Sequence, residues 1–136
     1  MMSGMNCKPG DIVGLPFPFS DLESQKKRPV LVITSADYRG DFMGLAITSV
    51  LTENNAVSIE LSDMKDGCLP KQSWIRYDKI FTLSTSTVVR CYGSIKKDVF
   101  SEVIKGLCQY VGCNGNWGRN WGNWGQVENW GQVDNA

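Results

Sequence analysis

A polar run, SDLESQKK, leads directly into RPVLVIT, so that Lys26, Lys27 and Arg28 stand at the mouth of an aliphatic stretch. An arginine anchored on a stiff strand presents a planar fork of N–H donors that fits two oxygens of a phosphate. The loop before it stays free to adapt to what the strand holds. A second charged group lies in SWIRYDKIFTL, where Arg76 and Asp78 are two residues apart. In a strand that spacing puts both on one face. The guanidinium would keep the carboxylate ionised, and so available to take a proton, while making it a weaker base. The same spacing also suits a plain surface ion pair, which contributes little to stability. Thr48, in GLAITSV, offers a hydroxyl for a phosphate oxygen, or is an ordinary strand threonine.

Other chemistries are closed by composition. There is no histidine in the 136 residues. Ser–His and Cys–His nucleophiles and paired-histidine nuclease schemes are therefore excluded. The five cysteines, Cys7, Cys68, Cys91, Cys108 and Cys113, are scattered without C-x-x-C spacing, which predicts reduced, packed thiols and neither a disulfide framework nor a zinc site. Asp41, Asp63 and Asp66 lack the oxygen-ligand spacing of a calcium loop, so no metal is expected. Fourteen basic and fourteen acidic residues cancel, so a surface for nucleic acid has to come from local arrangement. No segment reaches the roughly 18 apolar residues of a membrane span, and MMSGMNCKPG has no signal-peptide core. A cytoplasmic protein without membrane contact is expected.

The elements that position these groups are mostly strands. DIVGLPF, RPVLVIT, GLAITSV, AVSIELS, SWIRYDKIFTL and TVVRCYG are rich in β-branched and aromatic residues and are separated by Ser, Asp, Asn and Gly. AVSIELS alternates, with Val57, Ile59 and Leu61 predicted on one face, while PVLVI does not alternate and reads as a strand buried on both sides. Pro29, lacking an N–H, is expected at the first position of its strand. In KKDVFSEVIKGLCQYV the period changes to that of a helix, with Val99, Phe100, Val103, Ile104, Leu107 and Val111 in one stripe. Residues 1–8 read as a flexible start and 9–111 as one mainly β (α+β) domain closed by an amphipathic helix. Residues 112–136, with NWG four times, read as a low-complexity tail.

PGDIVGLPFPFSDLESQKKRPVLVIT, followed in order by LAITS and SWIRYDKIFTL, resembles the PemK/MazF family of toxin endoribonucleases over residues 9–111. The resemblance implies a small SH3-like barrel with a C-terminal helix and a two-fold homodimer. It further implies cleavage of single-stranded RNA without a cofactor, and neutralisation by a cognate antitoxin. Arg28 stands at the family's functional RP arginine, Thr48 at the threonine or serine after the third strand, and Arg76 and Asp78 at an arginine and aspartate that serve cleavage in some branches.

The chemistry is consistent with such a set, because RNA brings its own nucleophile in the 2′-hydroxyl. The enzyme has to align it, accept its proton and stabilise the added charge on phosphorus. Arg28 suits oxyanion stabilisation better than proton donation, since fewer than roughly one arginine in 100,000 is deprotonated at neutral pH. Lys26 and Lys27 are candidate RNA contacts, and Phe17, Phe19 and Trp74 are either base-stacking or packing residues. Two features depart from the family pattern: the loop before RP has neither the glycines nor the histidine of many relatives, and the Trp-rich tail has no counterpart. An alternative reading is a non-enzymatic inhibitor of DNA gyrase like CcdB, which resembles this family in fold; another is a decayed RNA-binding remnant.

Overall fold

The computed structural model describes residues 7–16 and 27–112. Seven strands and one helix are found among them: β1 (Asp11–Pro16), β2 (Lys27–Val32), β3 (Asp41–Thr48), β4 (Ala56–Ile59), β5 (Met64–Gly67), β6 (Ser73–Ser84), β7 (Arg90–Ile95) and α1 (Lys97–Val111). The strands form a single antiparallel sheet in the order β4-β6-β3-β2-β1-β7-β5, curled into a half-barrel. The mainly β, barrel-like fold with a C-terminal helix is thus as the sequence predicts.

Both faces of the sheet are buried at its centre, and β2 shows why its sequence does not alternate. Leu31 joins an inner cluster with Ile12, Leu45, Ile47 and Ile75, on which α1 lays Val99 and Val103. Val30 and Val32 point the other way, into an outer cluster with Val13, Leu15 and Phe42. Three consecutive aliphatic residues are thereby fully buried, as a strand covered on both sides requires.

Two expectations need correction, and one strand lies outside the predicted set. Pro29 is the third residue of β2, opposite Gly14 of β1. It is tolerated there because the ladder to β3 begins only at Val30, so one edge of the strand asks nothing of its missing N–H. Leu61 does not continue the face of Val57 and Ile59: β4 ends at Ile59, and Leu61 opens a 3-10 turn, Leu61–Asp63, where it is 70% exposed. In that turn Glu60 and Asp63 cap each other reciprocally, and this polar exchange outcompetes the alternating pattern. Finally, MKDG, with few β-formers, is strand β5, recruited by its pairing with β7.

The helix follows the predicted stripe, but with graded depth: Val99 and Val103 are buried, Phe100, Ile104 and Leu107 half-buried, and Val111 exposed. Its close approach to β6 depends on Gly106, where a Cβ would come within 2.7 Å of the Tyr77 ring. No helix among the described residues is long and apolar enough to cross a membrane. The predicted tail and flexible start fall largely on residues 113–136 and 1–6, outside the described residues.

Candidate active site

The register of the central strands places the predicted site residues in one row. Val30 of β2 pairs with Ala46 of β3; carried two residues further, that register brings Arg28 opposite Thr48. Thr48 in turn pairs with Trp74 of β6, and Trp74 with Ser58 of β4. Arg28, Thr48 and Trp74 thus lie side by side on the outer face, at spacings of about 4.8 Å per strand. Arg28 and Lys27 are exposed, Thr48 and Trp74 half-buried.

Thr48 is held in place by its own turn. Its Oγ1 accepts the backbone N–H of Val50 at 3.1 Å, which leaves the hydroxyl proton to donate elsewhere. Among the described residues Arg28 has neither a hydrogen bond nor an ion pair, so its five N–H donors are uncommitted.

Arg76 and Asp78 occupy a bulge. Ile47 pairs with Ile75 but Leu45 with Ile80, so residues 76–79 loop out opposite Ala46. Ile75 and Tyr77 both face the inner cluster, so ordinary alternation continues through the bulge and turns Arg76 and Asp78 outward together. The Arg76 guanidinium donates two bonds of 3.2 Å to the two carboxylate oxygens of Asp78, a bidentate pair with side chains 32% and 16% exposed. From Arg28 to Arg76 the backbone distance is about 12 Å, two strands and two residues away. The two arginines share a face of the sheet but are not in contact.

A cleft of about 590 Å³ opens where β2 and β3 end. Arg28 and Thr48 stand on its rim, while Pro29, Ile47 and Ser73 line it from the inner side. The loop between β5 and β6, with Leu69, Pro70 and Lys71, and Tyr92 of β7 also line it. Lys27, Arg28 and Thr48 are brought together here; Arg76, Asp78 and Trp74 are outside the cleft. Lys26, Phe17 and Phe19 lie outside the described residues. Lys71 and Tyr92 escape sequence reasoning, because CLPKQS and RCYG carry no pattern that ties either to the RP strand. Among the described residues no three acidic or cysteine side chains converge as metal ligands.

A profile of the PemK-like, MazF-like toxins of type II toxin-antitoxin systems matches residues 8–111. The chain belongs to this family. Among PemK/MazF relatives, the endoribonucleases MazF2 of Mycobacterium bovis and MazF6 of Mycobacterium tuberculosis are each 29% identical over 94 residues, 66% of this chain and 82% of theirs. In solved structures, a MazE–MazF complex from Deinococcus radiodurans superposes with a TM-score of 0.62 at 20% identity, over 79% of this chain and 97% of that one. A mycobacterial endoribonuclease in complex with its cognate antitoxin gives 0.60 at 17% identity, over 79% and 94%. At these identities the likeness establishes the PemK/MazF fold.

Proposed function

We propose that this toxin is an endoribonuclease that cuts single-stranded RNA by attack of the ribose 2′-hydroxyl, without a metal ion. The observation that carries the reading is the meeting of Arg28 and Thr48 on the rim of one cleft, in a chain whose curated relatives are endoribonucleases. Arg28 forks onto the scissile phosphate and stabilises the charge that builds on its oxygens; one such donor is worth about 2.7 to 4 kcal/mol. Thr48 donates its hydroxyl proton to a phosphate oxygen. Asp78, paired with Arg76 on the same face, stands outside the cleft and beyond direct reach of a phosphate gripped by Arg28, so the proton of the 2′-hydroxyl passes to water at the rim. The 2′-oxygen forms its bond to phosphorus as the bond to the 5′-oxygen breaks, and the departing 5′-oxygen takes a proton from water, leaving a 2′,3′-cyclic phosphate and a 5′-hydroxyl. Lys27 steers the backbone toward the rim, with Lys26 beside it in sequence, and Phe17, Phe19 and Trp74 are the aromatic candidates for contacts with flanking bases.

Following the family resemblance, the toxin acts as a cytoplasmic two-fold homodimer and is neutralised by a cognate antitoxin. The decisive experiment incubates the purified protein with a panel of single-stranded RNAs in EDTA and sequences the ends. Cyclic-phosphate and 5′-hydroxyl termini support the reading. Intact RNA together with blocked gyrase supercoiling would replace it with the inhibitor reading, and intact RNA that is bound would point to a remnant.

A further inference from the structure

We propose that the cleft beside Arg28 is a nucleobase subsite that selects a keto base, guanine or uracil, with Lys71 as the residue that reads it; this rests on the endoribonuclease reading. The cleft has two chemically different parts. Arg28 and Thr48 form a polar rim, and alternation along β2 and β3 turns their neighbours Pro29 and Ile47 to the inner side, where they make an apolar floor. Ile47 belongs to the inner cluster, and Leu69 and Tyr92 pack against it, so the floor is rigid. None of the outer-cluster residues contributes. An apolar slot that adjoins a phosphate grip fits the flat ring of a base next to the bond being cut.

The walls define which base. Every charged side chain lining the cleft among the described residues is a cation, Lys27, Arg28 or Lys71. Ammonium and guanidinium groups donate and cannot accept. Guanine presents two adjacent acceptors, O6 and N7, and uracil presents O4, whereas adenine and cytosine carry a donating amino group in place of that carbonyl oxygen. Arg28 belongs to the phosphate rim, whereas Lys27 alternates to the inner side with Pro29 and adjoins the slot from the end of β2; Lys71 enters from the loop between β5 and β6. The backbone of Lys71 is pinned, because the buried Ser73 hydroxyl donates to the Lys71 carbonyl at 3.0 Å. Tyr92 sets the remaining wall. Its ring lies over Gly14, where a Cβ would come 3.0 Å from Cε2, and the Arg90 guanidinium stacks on it at 4.8 Å from the centroid.

The test uses single-stranded RNAs identical except for the bases flanking the cut bond. The native protein prefers guanine or uracil over adenine or cytosine at one flanking position, and Lys71→Ala reduces that preference about tenfold, within the range of one base contact. Lys71→Arg, which keeps the donor, retains the preference. Binding of uncleavable 2′-O-methyl oligonucleotides, followed by fluorescence anisotropy, shows the same order of bases. If the native protein cuts RNA and Lys71→Ala keeps its base preference unchanged, this inference falls and the endoribonuclease reading stands. If no RNA is cut, the endoribonuclease reading falls, and equal binding of keto and amino oligonucleotides would remove the subsite as well.

Discussion

Replacing Arg28 with alanine separates catalysis from folding more cleanly than any other single change in this protein. The side chain is exposed and makes no hydrogen bond or ion pair among the described residues. Its loss should therefore change stability by no more than about 0.5 kcal/mol. If Arg28 stabilises the phosphorane, removing it costs about 2.7 to 4 kcal/mol of the barrier, which is about 100- to 1,000-fold in rate. Single-turnover cleavage at saturating protein isolates the chemical step, and the concentration dependence reports RNA affinity separately. Arg28→Ala should lower the first by that factor and the second by less than about tenfold, since Lys27 remains to hold the backbone. Arg28→Lys keeps the charge but not the planar fork and should recover only part of the rate. A folded Arg28→Ala protein that cuts within tenfold of native would refute the argument.

Three further changes probe other parts of the molecule. Asp78→Asn keeps the size of the side chain but loses one arm of the bidentate pair; with Asp78 outside the cleft, cleavage should change by less than about tenfold, and a fall of about 100-fold would bring Asp78 to the reacting phosphate. Gly106→Ala gains about 1 kcal/mol of helix propensity, but its methyl meets the Tyr77 ring, itself edge-on to Tyr110 with centroids 6.3 Å apart. Overpacking of this kind costs about 1 to 3 kcal/mol, so a lowered Tm is expected, and an unchanged one would show that the ring slides aside. Asp37 holds the turn before β3 by accepting the N–H groups of Asp41 and Arg39, and these bonds, that of Asp41 foremost, put its carboxyl below the usual carboxylate range. Because the folded pKa is depressed, its contribution is complete above the unfolded value, near about pH 4, and disappears as the pH falls through the lower folded one. Asp37→Ala should accordingly be less stable than native at pH 7 and converge with it in strong acid; a constant difference across that range would contradict the assignment.

How far the residues announced their structure differs from one region to another. Val30, Leu31 and Val32 were legible because a run without alternation has few stable fates besides a doubly covered strand, and the stripe from Val99 to Leu107 because its period is long enough to average out exceptions. MKDG was not legible, since its strand state is imposed by β7 and not by its own propensity. Leu61 misled for the opposite reason: its hydrophobicity continued the pattern, while the capping exchange between Glu60 and Asp63 ended the strand. In the site, Arg28 and Thr48 could be singled out by motif, but their adjacency depends on the β2–β3 register. The bulge at residues 76–79 interrupts the pairing with β3 but not the alternation of WIRYDK, so the shared face of Arg76 and Asp78 was legible while the bulge was not. Lys71 and Tyr92 arrive at the cleft from elements distant in sequence, and only the curled sheet brings them there.

Phosphate grip and base slot sit close together because a strand alternates its side chains. Arg28 and Pro29 are neighbours on β2, Ile47 and Thr48 neighbours on β3, and in each pair one faces outward and the other inward. At the centre of the sheet both directions are filled by the two hydrophobic clusters, so nothing can bind. At the strand ends the clusters stop, and the same alternation opens a charged rim directly against an apolar floor. A slip of one residue between β2 and β3 would exchange these roles, bringing Arg28 toward the inner cluster and Pro29 to the rim. The burial of Val30 and Val32 on one face and Leu31 on the other forbids that slip, so the packing that stabilises the fold is also what keeps the reacting phosphate beside the base that identifies it.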